Sequence, residues 1–414
     1  MQENKIVVDP YRWVVLFVFA LISAIIQIQW LTFASIAREA RLFYQVSALQ
    51  IDLLSLIFMG VFLVVCIPAS YIIDTFGIRI GLGIGAVLTG IFGLMKGVFP
   101  HDYTLVVIAQ TGLAVAQPFI LNAATKVAVQ WFPLLERALA VGIATLAQFA
   151  GIIIVMVFTP LMIGTNIVGV YDLATMLMTY GLISCAGAVI LLVFLKERPF
   201  FPSEHIKEKK HPGLVKSIGQ IFSQRDMAYL FPLFFIGLGM FNAISTCIDQ
   251  ICQTKGLSIQ QTGIVGGIML VAGIIGAVIL PVLSDRQKKR RKFICMAMAG
   301  ATPGIMGLAF FNDYALLLIS SFILGFFLLG GGAPVGFQYC AEVTRPAPES
   351  ISQGLLLFTG QISGILFIVL MNTAGMKVSL VIFIGLALIN IVLSLGLKES
   401  KMILASRLTD VKKM

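Results

Sequence analysis

Long apolar runs alternate along the chain with short polar or charged breaks, and within the runs there is no two-residue alternation. A helix needs roughly 20 apolar residues to cross a bilayer, whereas the strands of a membrane barrel show alternating segments of about ten. The pattern therefore predicts helices, twelve of them, at 12–36, 51–73, 80–99, 104–130, 138–163 and 173–195, then 227–252, 261–284, 292–311, 315–342, 351–373 and 378–398. The first run is too long for a secretory signal and continues into polar residues, so it is read as a span.

Polar residues inside these runs are informative, because a polar group removed from water needs a partner. The first span contains SAIIQIQWLTFAS, Ser23 to Ser35. At about 100° per residue, Ser23, Gln27, Trp30 and Ala34 share a face, and Gln29 and Thr32 lie on the other side. The first face is expected to line a water-filled cavity, and Gln29 to bond a neighbouring helix. Span seven carries one polar stripe of Asn242, Ser245, Thr246, Asp249 and Gln253. A carboxylate at membrane depth costs roughly 2.5–3.5 kcal/mol and faces a cavity or a partner. Asp249 is thus a candidate for coupling or charge recognition, with pairing to Arg38 or Lys255 as the structural alternative. Gln117, with Gln110 on the same face of span four, and Gln361 in span eleven are candidates for substrate contact or for interhelical hydrogen bonds. Lys126 and Glu342 lie near the ends of spans four and ten, where gate or loop salt bridges are expected. Gly81 to Gly85 follows no strand, so helix packing explains it better than a nucleotide loop. Gly330 to Gly332 before Pro334 predicts a bend in span ten.

Composition sharpens this picture. The chain is 59% hydrophobic and 12% charged, with mean hydropathy +0.99, where soluble domains are about a quarter charged. The net charge of +10 could suggest nucleic acid, but its placement argues otherwise. Apart from Arg38, Arg41, Lys96, Lys255, Lys377 and Lys126, all 29 basic residues fall on the side of the two termini. That bias predicts cytoplasmic termini, and it makes the run Arg286 to Lys292 a positive-inside anchor. The six cysteines lack metal-ligand spacing with a histidine, so free thiols are expected. No nucleophile–base set is visible, so no enzyme, metal or cofactor is expected.

The longest break, 196–226, is charged and contains prolines. It divides the chain into 1–195 and 227–414, each with six spans. The halves resemble each other: Gln148 and Gln361 each begin Gln-x-x-Gly, the motifs LKER and LKES begin at Leu195 and Leu397, and Pro118 and Pro334 lie at comparable depth. Two parallel six-helix repeats are the layout of major facilitator transporters, which the whole chain resembles. The loop signature Gly-x-x-x-Asp-x-x-Gly-x-Arg of that superfamily reappears as Ser70 to Arg79, with Asp74, Gly77 and Arg79 in place and Ser70 for the leading glycine. The second half keeps Asp285 and Arg286. The resemblance implies an all-α fold of two pseudo-symmetric six-helix bundles, with these residues forming a cytoplasmic gate motif.

Several segments resemble the feline leukaemia virus subgroup C receptor-related family more closely. They are YRWVVLFVFALISA (Tyr11–Ala24), PASYIIDTFGIR (Pro68–Arg79), AVAQPFIL (Ala114–Leu121), NAIST (Asn242–Thr246), GFQYCAEVTRP (Gly336–Pro346) and GQISGILF (Gly360–Phe367). That family is associated with choline and ethanolamine transport and with haem export, and its choline site is an aromatic cage. Its glutamines of spans four and eleven correspond to Gln117 and Gln361. Its cage tryptophan corresponds to Gln27, with Trp30 one turn away, and its cage tyrosine to Asn242; Asp249 replaces an asparagine. Loss of both aromatic walls disfavours trimethylammonium, and amides favour a solute with hydrogen-bonding groups. The expectation is an alternating-access transporter of a small polar or cationic solute, with Gln27, Trp30, Gln117, Asn242 and Gln361 at a site between the bundles. A proton-coupled exporter of lipophilic cations, transport of choline, ethanolamine or haem as in the resembled family, and a solute-sensing receptor are the alternatives. The expected partners are a small-molecule substrate and the lipid bilayer of the cell membrane, with proton or other ion coupling open, no nucleic acid, and a monomeric chain.

Overall fold

The computed structural model describes residues 9–133, 136–163, 170–199, 214–344 and 349–400. Among the described residues, twelve helices are long and apolar enough to cross a membrane. They are Arg12–Tyr44, Ala48–Phe76, Ile78–Val98, Tyr103–Trp131, Leu139–Met162 and Leu173–Phe194 in the first half. Met227–Thr246, Ile259–Gln287, Arg290–Phe310, Tyr314–Val343, Ile351–Ala374 and Met376–Gly396 follow in the second. These are the predicted spans with ends shifted by a few residues, except that span one runs on to Tyr44 and span seven stops at Thr246. A hydrophobic run fixes a spanning helix well, but helix ends are set by caps and turns.

The chain divides into two compact units, Met1–Glu208 and Lys209–Met414. In unit 1, span one packs on spans four, five and six, span two on four, and span three on four and six. In unit 2, span seven packs on eleven and twelve, span eight on ten, and span nine on ten and twelve. The second arrangement repeats the first. The caps repeat as well. Ser47 and Gln50 form a capping box at the start of span two, as Ser258 and Gln261 do at the start of span eight. Asp102 accepts from Thr104 N and Leu105 N at span four, and Asp313 from Leu316 N at span ten.

Of the break at 196–226, residues 200–213 lie outside the described residues. Its last part holds a helix, Leu214–Phe222, that packs on spans seven and eleven. The apolar residues Leu214, Ile218, Ile221 and Phe222 follow helical spacing, and that signal was obscured by the charge preceding it.

Among the described residues, four spans are interrupted, and the interruptions also come in pairs. Span one ends its first helix at Trp30 and resumes with Ala34–Ile36 and Ala37–Tyr44. Span seven ends at Thr246, and a short helix, Ile248–Gln253, follows. Span four breaks between Tyr103–Leu121 and Ala124–Trp131, just after Pro118. Span ten has a widened π-helical segment, Gly325–Gly332, before Ala333–Val343 and its Pro334. The glycines there permit close approach: a Cβ on Gly325 would strike Met269 O, and one on Gly276 would strike Phe326 O. Spans eight and ten thus meet backbone to backbone, the packing available where lipid supplies no hydrophobic drive between helices.

Candidate functional site

The end of the first helix of span one lies inside the protein, where its last four carbonyls need partners. All four have them. Gln27 O accepts from Leu31 N, and Ile28 O from Thr32 Oγ1 at 2.8 Å. Gln29 O accepts from Gln110 Nε2 at 3.1 Å, and Trp30 O from Ser55 Oγ at 3.3 Å. The helix can stop here because spans two and four supply donors.

This ending fixes the candidate residues. The Gln29 side chain donates to Tyr180 O (3.1 Å) and Ser184 Oγ (2.7 Å) of span six, and is wholly buried. Gln27, on the opposite face, accepts from Gln117 Nε2 at 3.1 Å. Both glutamines are buried, each 6% exposed. The pair uses one donor and one acceptor. Among the described residues, no hydrogen bond engages the Gln27 NH2 or the Gln117 carbonyl oxygen, so both keep bonding capacity. Trp30 is held differently from the helical wheel's expectation: its indole N–H donates to Ser55 O of span two at 3.3 Å. In unit 2, Asn242 donates from Nδ2 to Gly360 O at 3.2 Å, beside the half-buried Gln361, and its Oδ1 has no such bond among the described residues. The structure therefore joins Gln27 to Gln117, and Asn242 to the turn carrying Gln361. Asp249 lies on the short helix after the span-seven break and is fully buried. Lys255, one of its candidate partners, donates to Ala309 O at 2.9 Å. Burial, and then the neighbouring Lys377, hold that ammonium below the ordinary lysine range.

At the other end of each unit, a carboxylate from just beyond the last span caps the third helix of its bundle. Glu197 accepts from Ile78 N (3.2 Å) and Arg79 N (2.7 Å) at the start of span three. Glu399 accepts from Arg290 N (2.8 Å) and Arg291 N (3.4 Å) at the start of span nine. A carboxylate at a helix N-terminus meets free N–H groups and the positive end of the dipole. Gly77 reaches φ +95° in the first loop, and Lys288 takes its place with φ 51° in the second.

The charges around these loops differ. Lys126 of span four donates to Ile73 O (2.6 Å) and Asp74 O (2.8 Å), with the exposed Asp74 carboxylate at 3.7 Å. Arg79 is exposed. In unit 2 the guanidinium that meets Asp285 belongs to Arg290, at 2.5 Å, while Arg286 is exposed. Arg290 is 3% exposed and also binds Glu342 of span ten at 3.1 Å. The sequence carried a signal for this. Asp74 and Arg79 stand in the same spacing as Asp285 and Arg290, and Gly77 then aligns with Lys288.

One residue that the sequence placed only among the basic residues away from the termini belongs to the interior. Lys96 of span three is fully buried. It donates to Thr32 Oγ1 at 3.2 Å and Gln110 Oε1 at 3.3 Å, with Phe33 beneath it at 5.5 Å.

The described residues hold no cluster of metal-ligating side chains, and the six cysteines are free. A sequence profile of the Major Facilitator Superfamily matches residues 13–368. An uncharacterized MFS-type transporter of Caenorhabditis elegans is 27% identical over 88% of this chain, which spans 65% of that protein's length. The human choline/ethanolamine transporter FLVCR2 is 27% identical over 88% of this chain and 72% of its own. A crystal structure of a bacterial homolog of the human lysosomal transporter Spinster, inward-facing and unoccupied, superimposes with TM-score 0.73 at 16% identity. That superposition covers 96% of this chain and 97% of the other. With the repeated bundles and matched helix breaks, these likenesses place the chain in the Major Facilitator Superfamily, as a multi-pass membrane transporter resembling the feline leukaemia virus subgroup C receptor-related family.

Proposed function

We propose that the chain carries a small polar or cationic organic solute, an amine-like metabolite, across the cell membrane by alternating access. The observation that carries this reading is the unspent hydrogen-bonding capacity of buried amides in both units. Gln27 keeps donors, and Gln117 and Asn242 keep acceptors, with Gln361 beside Asn242. Carbonyl oxygens of this kind bind an ammonium that has N–H groups, such as that of ethanolamine. A trimethylammonium offers no N–H and relies on aromatic faces. The description of human FLVCR2 as a choline/ethanolamine transporter supports the amine class, and the amides at the cage positions narrow it. Asp249 recognises the substrate's charge or couples its movement to an ion, and Trp30 shapes the wall through its hold on span two. The loops of Asp74, Gly77 and Arg79 and of Asp285 and Arg286 act as the cytoplasmic gate, with both ends of the chain inside the cell and a single chain as the transport unit.

Uptake into proteoliposomes, measured for ethanolamine, choline, amino acids and polyamines with and without a pH gradient, tests the proposal. Saturable uptake of a primary amine in preference to choline is expected. Flux of no amine above protein-free vesicles contradicts it.

A second reading, proton-coupled export of lipophilic cations, is favoured by one observation. Unit 2 contains a small, partly open pocket with an apolar lining that includes Leu233, Phe234, Leu238, Phe241, Met298 and Leu328. On that reading Asp249→Asn abolishes efflux driven by a proton gradient.

A further inference from the structure

We propose that the span-one break is an ammonium site which the chain fills with its own Lys96. A helix C-terminus concentrates partial negative charge on its last carbonyls, and unwound helix ends in transporters coordinate small cations there. The end of the first helix of span one is such a place, fully enclosed. Lys96 reaches it by two relays. Its ammonium donates to Thr32 Oγ1, which donates on to Ile28 O, and to Gln110 Oε1, whose NH2 donates to Gln29 O. Phe33 adds a ring face under the charge. Among the described residues, no carboxylate pairs with Lys96. Every hydrogen-bond acceptor it meets is neutral, so the charge it answers is that of the helix end.

Unit 2 shows what the break looks like without the tethered cation. The register that aligns Arg79 with Arg290 and Asp102 with Asp313 aligns Lys96 with Gly307, against which the Ser320 hydroxyl packs. The span-seven break has instead a buried carboxylate, Asp249, and two buried hydroxyls; among the described residues, Ser245 Oγ and Thr246 Oγ1 make no hydrogen bond. Lys96 thus seals one break, and because Gln27 lies on the last turn before that break, it also fixes the amide pair with Gln117.

The test is chemical rescue in the purified full-length protein, which requires no knowledge of the substrate. Lys96→Ala removes the equivalent of n-propylammonium and should lower the thermal midpoint by roughly 5 °C or more. Adding n-propylammonium chloride should recover at least half of that fall, while sodium chloride at equal ionic strength should not. The wild type should ignore both salts. Lys96→Met fills the space without charge, should not be rescued, and should speed amide exchange at residues 31–36 about tenfold. That exchange readout stands even if Lys96→Ala fails to fold. Wild-type stability of Lys96→Ala, a loss that propylammonium does not restore, or unchanged exchange in Lys96→Met overturns the proposal.

Discussion

The two units repeat each other's backbone devices but not their charges. Each begins its second helix with a serine–glutamine box, caps its third with a glutamate from beyond its sixth, and turns the intervening loop with a residue at positive φ. At the same distance beyond Pro118 and Pro334, however, unit 1 has Lys126 and unit 2 has Glu342. Lys126 ties itself to backbone carbonyls, and Glu342 to a buried arginine. At the broken helices the contrast recurs, with Lys96 behind span one and Asp249 after span seven. Helix ends must be satisfied wherever they are buried, so the backbone solutions repeat. Which charge completes each local network is free to differ.

Removing Arg290 should break the comparison most severely. Arg290→Ala leaves the Glu342 carboxylate, 12% exposed, without its guanidinium, and its second oxygen has no hydrogen bond among the described residues. It should cost about 3–5 kcal/mol of stability in detergent. Lys126→Ala, by contrast, loses a partly exposed contact and should cost about 1 kcal/mol or less. Equal losses at the two positions would show that the networks are equivalent after all. Gly77→Ala should follow, at about 1–3 kcal/mol, since its Cβ meets the Glu197 carboxylate at a φ that L-residues avoid. Glu197→Gln and Glu399→Gln should each cost about 1 kcal/mol, with the loss reduced by salt. Lys288→Gly should have the smallest effect and the opposite sign, a gain of up to about 1 kcal/mol from relief of the left-handed backbone. Thermal unfolding of each variant reads these differences.

Much of this was legible in the sequence because membrane helices report themselves by hydrophobic length. The helical period separated Gln29 from Gln27 correctly, since both precede the break. The glycines before Pro334 announced the interruption of span ten, but the break in span one was not legible. Its carbonyls are satisfied by Ser55 and Gln110, far along the chain, and no local residue announces that. Lys96 was hidden for the same reason: near a helix end, a lysine reads as a surface anchor until the neighbouring helices are seen to enclose it. Arg290 was readable by spacing but was masked by the basic residues around it. The wheel placed Trp30 beside Gln27, but it could not show that the indole is claimed by span two.

The most direct test of the central claim, that buried amides from both units bind the transported solute, is uptake by the Gln117→Ala/Asn242→Ala double variant. The account predicts that saturable amine uptake in proteoliposomes falls at least tenfold while the protein stays folded. Unchanged uptake in that variant would contradict it.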